Sequence, residues 1–345
     1  MEQLVARLRA AGCVFAEDEA RILLEAATSD GTTDPVRLES LVAARVDGLP
    51  LEHLVGWAEL DGRRWLVAPG VFVPRQRSEL LIREAAARAL SDAAGGVTTG
   101  AAAGAAPGEA GGAVSGAAVP GCAAVDTFAP GAAAAPVLVV DLCCGCGALG
   151  GAVAARLLAA GHDVELHAAD VDPVAVACAH KNLDALAAEA FAARAAGTGL
   201  PARAAGTGVS PDDVVAPARP GRLTAYTSAG DLADPLPREV WGRVDVLVAN
   251  APYVPTEAIG MMPPEAREHE PHTALDGGDD GLVILRRVID LAPALLRPGG
   301  HLLVETGEAQ VSAAVGHLEA AGLIPTVLSD DDLGATALAG TRPTA

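Results

Sequence analysis

The sequence predicts an α/β fold built on a doubly wound, mostly parallel, seven-stranded sheet. Between residues 137 and 341, short runs rich in Val, Leu and Ala alternate with segments whose apolar residues recur at helical spacing. Alternation of this kind is typical of βαβ units, whose strands lie parallel in one sheet. Seven strands are predicted, at 137–141, 164–170, 223–226, 244–249, 301–306, 324–328 and 335–341. A predicted helix at 79–90 precedes them, and the predicted helices between them cover 151–160, 173–183 and 281–296.

The chain divides into three parts by pattern. Residues 1–50 read as a small helical domain, 51–76 as a β-hairpin linker, and 77–345 as the domain that carries the large sheet. Two stretches, 91–136 and 186–221, are almost free of bulky residues and lack periodicity, so we interpret them as low-complexity insertions. A length of 345 residues is sufficient for one large domain plus a small one.

Helix and turn signals mark the first two parts. Asp34 followed by Pro35 predicts a helix start, because the carboxylate caps the first amides and Pro fits the first turn. In the linker, strands at 65–67 and 71–73 are expected to flank a turn at Ala68-Pro69-Gly70. That segment ends in Pro74-Arg75.

The net charge and the cysteine content limit which partners and which cellular compartment the sequence favours. The formal net charge is −20 and no basic block is present, so stable DNA binding is not expected and a protein partner is easier to accommodate. The start, Met1-Glu2-Gln3, lacks the basic and apolar regions of a signal peptide, and the uncharged runs are too rich in Gly and Pro to span a bilayer. Six cysteines without a signal favour a reducing compartment. We expect a cytoplasmic monomer with no membrane segment.

A loop rich in Gly and Cys follows the first predicted strand of the sheet. A Gly-rich turn from strand to helix lets a ligand approach the backbone amides at the helix start. Cys143 stands where a dinucleotide fingerprint, Gly-x-Gly-x-x-Gly, needs its first Gly. An adenosylmethionine site instead has an acidic residue two positions before a Gly-x-Gly-x-Gly run. Asp141 and residues 143–147 fit that pattern, with Cys143 in place of the first Gly. A plain tight turn is the structural alternative. The candidate cofactor residues here are Asp141, Cys143, Cys144, Gly145, Cys146 and Gly147.

Two groups of residues carry metal-ligand side chains without the spacing of a metal site. A structural zinc site needs about four ligands, normally in two spaced pairs, and the clustered cysteines have no second pair. We therefore interpret them as small side chains in a crowded loop. Glu268-His269-Glu270-Pro271-His272 is interpreted as a solvated or substrate-facing loop. No metal is expected.

Acidic residues follow the second and third predicted strands of the sheet. Asp170 ends its strand 23 residues after Gly147, where a carboxylate can accept hydrogen bonds from both ribose hydroxyls of a nucleoside. Asp172 is expected to cap the helix that begins at Pro173. Asp231 and Leu232 are candidates for contacts with an adenine ring, and a simple turn is the alternative for Asp231.

The strand at 244–249 ends in Asn250-Ala251-Pro252-Tyr253. Open α/β sheets bind ligands beyond the carboxyl ends of their strands. A rigid loop with one amide and one ring face suits a planar amide or amine whose nitrogen accepts a transferred group. The stretch resembles the Asn-Pro-Pro-Tyr signature of methyltransferases that act on planar nitrogen, with Ala251 at the first Pro.

With these motifs in place, residues 45–82 and 137–345, apart from the insertions, resemble the release-factor glutamine methyltransferase family. Besides Cys143 in the Gly-rich loop, two positions depart from the family pattern: Ala251, and Arg77 where an acidic residue is usual. The shared features, in chain order, are the N-terminal helical domain, Pro-Leu-Glu-His-Leu-Val-Gly at 50–56, the hairpin into Val-Pro-Arg with Glu79, the Gly-rich loop, Asp170, Asn-x-Pro-Tyr, the run at 270–278 and Glu305-Thr306-Gly307.

The resemblance implies a Rossmann-like class I methyltransferase that uses S-adenosyl-L-methionine to methylate the side-chain amide nitrogen (N5) of a protein glutamine. The family's usual target is the Gln of a Gly-Gly-Gln loop in peptide-chain release factors. Asn250 would contact both cofactor and substrate. Asn250 Oδ1 and a backbone carbonyl of Ala251 or Pro252 would accept the two amide N–H groups, and Tyr253 would pack on the amide plane. Asn250, Pro252 and Tyr253 are thus the expected catalytic residues.

Two other functions remain open from the sequence. An adenine or cytosine amino-methyltransferase acting on nucleic acid uses the same loop, although the acidic charge disfavours it. A cofactor-binding paralogue without catalytic activity is the second alternative, because Cys143 and Ala251 both replace motif residues.

Overall fold

The computed structural model describes residues 1–99, 135–200 and 220–344. The N-terminal part is helical, with α1 (Glu2–Ala10), α2 (Ala16–Ala26) and α3 (Pro35–Val46), and a two-residue ladder of β1 (Thr28–Ser29) and β2 (Thr32–Thr33) between α2 and α3. The predicted cap is confirmed, since Asp34 Oδ1 accepts from the amides of Val36 and Arg37 at 2.9 and 3.1 Å. These helices bury their own apolar cluster, which includes Leu8, Leu23 and Val42.

The predicted hairpin is present but was assigned to the wrong residues. After α4 (Leu51–Val55), strand β3 (Trp57–Leu60) pairs antiparallel with β4 (Arg63–Leu66), and Asp61-Gly62 makes the turn. Asp61 and Gly62 both have positive φ, which suits a two-residue hairpin loop. Residues 71–73 form no strand, and Val71 and Val73 are buried in the apolar cluster of the large domain. The prediction relied on the turn signal of Pro69-Gly70, whereas the hairpin turn is at Asp61-Gly62.

The predicted fold class is confirmed. The described residues form a seven-stranded sheet with the order β10-β11-β9-β8-β5-β6-β7. All pairings are parallel except those that β11 makes with β9 and β10. The strands are β5 (Val137–Leu142), β6 (Val164–Asp170), β7 (Leu223–Ala229), β8 (Val244–Ala249), β9 (Leu296–Glu305), β10 (Ile324–Asp330) and β11 (Ala335–Thr341).

Helices cover both faces of this sheet. Alternate residues of β5 enter opposite cores: Val139 packs with Leu157 of α6 and Ile82 of α5, whereas Val140 packs with Ile289 of α10. Burial on both faces explains why β5 is apolar at every position except Asp141. The helices are α5 (Glu79–Thr99), α6 (Ala148–Ala159), α7 (Pro173–Ala196), α8 (Pro264–His269), α9 (His272–Leu275), α10 (Val283–Leu295) and α11 (Val311–Ala320).

Several predicted boundaries were wrong. Helix α5 continues past residue 90 to Thr99, and α7 continues past residue 183 to Ala196, so the beginnings of both predicted insertions are helical. Alanine-rich sequence is compatible with helix even where it lacks an amphipathic pattern. The rest of the predicted insertions, 100–134 and 201–219, lies outside the described residues. Strand β9 begins at Leu296, so Pro298-Gly299-Gly300 lies inside a strand rather than at a helix end.

The strand order determines where a ligand can bind. From β5 the chain adds β6 and then β7 on one side, and it returns to add β8 on the other side of β5. The loops that leave β5 and β8 therefore run to opposite sides and open a crevice at the carboxyl edge of the sheet. These two loops are the Gly-rich loop and the Asn250 loop. None of the helices in the described ranges is long and apolar enough to cross a membrane.

The hairpin docks onto α6 through a close contact at Gly151. A Cβ built there would lie 2.6 and 2.7 Å from two ring carbons of the buried Trp65. Gly151→Ala should therefore lower the free energy of unfolding by about 1–3 kcal/mol, the cost of overpacking a dense core. Urea unfolding of the full chain measures the change.

A matched control for this substitution lies in α11. Gly316 is exposed, and a Cβ there would meet nothing within 4 Å. Because Ala is the better helix former, Gly316→Ala should raise the free energy of unfolding by about 0.5–1 kcal/mol. Equal effects of the two substitutions would contradict the assigned packing.

Candidate active site

Two cavities meet at the carboxyl edge of the sheet. The first has a volume of about 520 Å³ and is lined by the Gly-rich loop, by Asp170 and by Asp231 with Leu232. The second, of about 330 Å³, lies beside it and is lined by Tyr253 among others. Four residues line both cavities: Phe72, Asn250, Pro252 and Ala274. A group bound in one cavity can thus face a group in the other across Asn250 and Pro252.

The Gly-rich loop is held from below by a buried carboxylate. Asp141 Oδ2 accepts from the Gly150 amide at 2.8 Å, while Asp141 Oδ1 has no hydrogen-bond partner among the described residues. Burial, together with the charge of Asp170, raises the pKa of Asp141 to about 7. Burial therefore favours the neutral form of this acid.

Two residues of the first cavity have a left-handed backbone that normally favours Gly. Cys143 has a φ of 57° and Leu232 a φ of 49°. Such a conformation costs a residue with a Cβ on the order of 1–2 kcal/mol. For Cys143 this gives a physical reason why Gly is usual at its position. Strain of this size at the edge of a cavity is typical of binding sites.

The loop cysteines are packing groups in this structure. Cys144 and Cys146 are buried, and burial raises the pKa of both thiols and of Cys143. Neutral thiols are poor nucleophiles and poor metal ligands. The interpretation of these residues as small side chains in a crowded loop agrees with this.

Asp170 joins the strand end to the Gly-rich loop. Its Oδ2 accepts from the Gly145 amide at 2.8 Å and its Oδ1 from the Asp172 amide at 2.9 Å. Each carboxylate oxygen retains a free lone pair toward the cavity that Asp170 lines. The predicted cap at Asp172 is confirmed, because its Oδ1 accepts from Val174 N at 2.8 Å.

Asp231 also lines the first cavity. It is exposed, and its Oδ2 accepts from Arg287 Nη2 at 2.6 Å. Leu232, next to it, is buried, and with Ile284 it provides apolar lining.

The Asn250 loop offers hydrogen-bond acceptors to both cavities. Asn250 Nδ2 lies 3.3 Å from Ser78 Oγ, which leaves Oδ1 for another partner. Within the described part of the chain, no hydrogen bond reaches the carbonyl oxygens of Ala251 and Pro252. Tyr253 is tied back instead, since Gln310 Nε2 donates to its carbonyl at 2.9 Å.

The hydroxyl of Tyr253 belongs to a buried polar group around Glu305. It donates to Glu305 Oε1 at 2.8 Å and accepts a hydrogen bond from Arg77. Burial, together with the Glu305 carboxylate, raises the pKa of Tyr253, so the hydroxyl stays protonated. The ring therefore presents a neutral face to the second cavity.

Several residues that organise the site were missed from the sequence. Asn182 bonds both backbone groups of Leu66 and also the Cys146 carbonyl, at 2.8–2.9 Å, so it ties the hairpin to the Gly-rich loop. Ser78 and Gln310 support the Asn250 loop. Their partners are distant in sequence, so no local spacing indicates them. The family resemblance at Glu305-Thr306-Gly307 indicated that Glu305 is important. It did not indicate which groups Glu305 binds.

The loop predicted to be solvated or substrate-facing lies against both cavities. Pro271, His272 and Thr273 line the first cavity, and Glu270 lines the second. Glu270 is buried and paired with Arg75. The loop thus covers the place where the two cavities adjoin.

Comparison with known proteins bears on the predicted resemblance. No protein-family model matches this chain. A release factor glutamine methyltransferase from Geobacter sulfurreducens is 28% identical over 302 residues, which is 88% of this chain and 76% of that protein. Several relatives with that name are 28–30% identical over 77–88% of this chain. The predicted resemblance is therefore confirmed.

Two other similarities complete the comparison. A 4-amino-L-phenylalanine/4-methylamino-L-phenylalanine methyltransferase from Streptomyces pristinaespiralis is 29% identical over 84% of this chain and 71% of that protein. Among solved structures, the ribosomal protein L11 methylase from Lactobacillus delbrueckii subsp. bulgaricus aligns over 61% of this chain and 72% of that chain. Its identity is 15% and its TM-score 0.35.

The buried Asp141 should make stability depend on pH. Its native pKa of about 7 lies above the ordinary 3.8, so its contribution is complete below about pH 4 and is lost as the pH rises through 7. Asparagine cannot ionise. The free energy of unfolding of Asp141→Asn should therefore rise relative to wild type between pH 4.5 and 8, as measured by urea unfolding. The exposed Asp279→Asn is the control, and a pH-independent difference for Asp141→Asn would refute the assignment.

Proposed function

We propose that this chain transfers a methyl group from S-adenosyl-L-methionine to the side-chain amide nitrogen of a protein glutamine. The observation that carries the proposal is the wall of Asn250 and Pro252 shared by a cofactor-sized and a smaller cavity. Relatives named release factor glutamine methyltransferase support the choice of reaction. We infer that the substrate is a peptide-chain release factor and that the reaction takes place in the cytoplasm.

The first cavity fits the proposed cofactor in size and in chemistry. A volume of about 520 Å³ lies within the range of small-molecule sites. Asp170 would hold the ribose, Asp231 and Leu232 the adenine, and the Gly-rich loop from Asp141 to Gly147 the amino-acid end. The unpartnered Oδ1 of Asp141 is a buried acceptor beneath that loop. Bound there, S-adenosylmethionine supplies a methyl group on a sulfonium sulfur. The sulfur is the leaving group and keeps the electron pair of the broken carbon–sulfur bond.

The chain's own task is to hold the glutamine amide so that its nitrogen faces the methyl group. Asn250 Oδ1 accepts one amide N–H, and the carbonyl of Ala251 or Pro252 accepts the other. Two acceptors on one rigid loop fix the amide plane and direct the nitrogen lone pair toward the first cavity. After transfer the nitrogen carries an extra, acidic proton, which leaves to solvent, so no strong general base is needed.

Positioning is the main catalytic contribution in this arrangement. Two well-held reactants can gain roughly 7–11 kcal/mol from orientation and proximity. Asn250 Oδ1 also meets the positive charge that develops on the amide, and such a contact can add about 3 kcal/mol. Tyr253 packs on the amide plane and limits its rotation.

The two departures from the family pattern have separate structural consequences. Ala251 is 2% exposed and keeps its carbonyl, so the acceptor that the mechanism uses is retained. Arg77 enters the buried group around Glu305 and Tyr253. Neither change removes a group that contacts the proposed substrate amide.

A small aromatic amine is a second candidate substrate. It is favoured by the relative named for methylation of 4-amino-L-phenylalanine, which matches over most of both chains. An amino group on a ring has two N–H groups in a plane, as an amide does, so the same loop can hold it. Nucleic-acid bases share this geometry, but the acidic charge of the chain disfavours them.

The ribose assignment predicts that Asp170→Ala weakens cofactor binding. Removal of a charged acceptor from two hydroxyls should raise the dissociation constant of S-adenosylmethionine by about 10- to 100-fold. Isothermal titration calorimetry measures it, with Asp279→Ala as an exposed control. An unchanged dissociation constant would show that Asp170 serves the loop alone.

Transfer of labelled methyl from S-adenosylmethionine tests the function itself. Purified release factor, RNA, DNA and 4-amino-L-phenylalanine are compared as acceptors, and mass spectrometry locates the mark on protein. We expect transfer to a glutamine of the release factor. Asn250→Ala should reduce it at least about 100-fold because it removes an acceptor from the amide, while cofactor affinity is retained. Transfer to another acceptor class, or none to release factor, would overturn the proposal.

A further inference from the structure

We propose that Ser78 and Glu305 act as positioning residues that fix which end of the Asn250 amide faces the substrate. The proposal rests on the proposed function, because it assigns a purpose to Asn250 Oδ1. It concerns three side chains brought together from three parts of the chain: the segment after the hairpin, the end of β8 and the end of β9.

Glu305 is the hub of the group. Its side chain is 3% exposed, and three donors surround it. Arg77 Nε and the Tyr253 hydroxyl donate to Oε1 at 2.6 and 2.8 Å, and the Ser78 hydroxyl donates to Oε2 at 2.7 Å. Ser78 is itself 2% exposed and contacts Asn250 on its other side.

Donor and acceptor rules then determine the direction of each bond. A carboxylate accepts only, and a hydroxyl has one proton. Since Ser78 gives its proton to Glu305, it can only accept from Asn250. The Asn250 side chain must therefore turn its NH₂ group toward Ser78, at 3.3 Å, and its Oδ1 away from it. Oδ1 is then the atom available to a substrate N–H, which an inverted amide could not accept.

Arg77 determines which hydrogen bonds the Tyr253 hydroxyl and Glu305 Oε1 can make. Its guanidinium only donates, and it contacts both Glu305 Oε1 and the Tyr253 hydroxyl. The Tyr253 proton is therefore directed to Glu305 as well. If residue 305 were Gln, Arg77 would hold the Gln carbonyl, and the Gln NH₂ would point at Ser78. Ser78 would then donate to Asn250, and the Asn250 amide would turn its NH₂ toward the substrate.

This reversal gives a specific test. Wild type should bind a release-factor peptide that carries Gly-Gly-Gln more tightly than the same peptide with Gln replaced by Glu, because Asn250 Oδ1 repels a carboxylate. Glu305→Gln should reduce that preference about tenfold, because the inverted Asn250 amide offers its NH₂ group to the carboxylate while the backbone carbonyl of Ala251 or Pro252 still repels it. Turnover of the Gln peptide should fall about 100-fold, with S-adenosylmethionine affinity within about threefold of wild type. Ser78→Ala should lower turnover about tenfold and should reduce the preference less than Glu305→Gln does.

A second measurement reports the amide directly. Asn182 and Asn250 are the two asparagines of the chain, so labelling with ¹⁵N-asparagine gives two pairs of side-chain amide signals. The Asn250 pair, identified by its loss in Asn250→Ala, should shift in Glu305→Gln and Ser78→Ala. The Asn182 pair is the internal control, because its partners Leu66 and Cys146 are untouched.

The outcomes separate the two proposals. Failure of wild type to methylate any glutamine substrate would overturn the proposed function, while the amide signals would still test the orientation. If wild type is active and Glu305→Gln shows the same Asn250 signals and the same peptide preference as wild type, the positioning role is overturned and the proposed function stands. A shifted Asn182 pair would indicate general disruption, and Ser78→Ala, which removes one hydroxyl, then decides the question through its Asn250 signals.

Discussion

Asn182 is one buried side chain that hydrogen-bonds to both the hairpin and the Gly-rich loop. With one buried amide it bonds both backbone groups of Leu66 in the hairpin and the carbonyl of Cys146 in the Gly-rich loop. The chain continues from the hairpin into the segment that carries Phe72, Arg77 and Ser78, and these residues border the two cavities. A side chain on α7 thus links the Gly-rich loop, which lines the first cavity, to the hairpin that precedes this segment.

The site is less relaxed than the sheet that supports it. Cys143 and Leu232 adopt left-handed backbone conformations, and Asp141 is an acid in an apolar surrounding. Each of these costs stability. The burial of two large apolar clusters, one on each face of the sheet, offsets this loss of stability. A rigid frame of this kind can keep a strained loop in one conformation when no ligand is present.

Local patterns predicted the fold, whereas long-range contacts were invisible to them. The buried runs of β5, β6 and β8 and the caps at Asp34 and Asp172 lay in the expected places, because period and capping are properties of neighbouring residues. The hairpin was assigned to the wrong pair of segments, since Pro69-Gly70 and Asp61-Gly62 are competing turn signals. The motif residues Asp170 and Asn250 line the first cavity, but Ser78, Asn182 and Gln310 act through partners at least 36 residues away. Only the folded chain brings those together.

The shared wall of Asn250 and Pro252 has a stereochemical consequence for the proposed reaction. The donor and the acceptor lie on opposite sides of one short boundary, so both must be bound before anything is transferred. Burial raises the pKa of the neighbouring thiols of Cys144 and Cys146, which disfavours the thiolate that an intermediate methyl carrier would need. Transfer then takes place in one displacement, and the three hydrogens of the methyl carbon invert as it crosses from sulfur to nitrogen. Kinetically such an enzyme is sequential: neither product leaves until both reactants have entered.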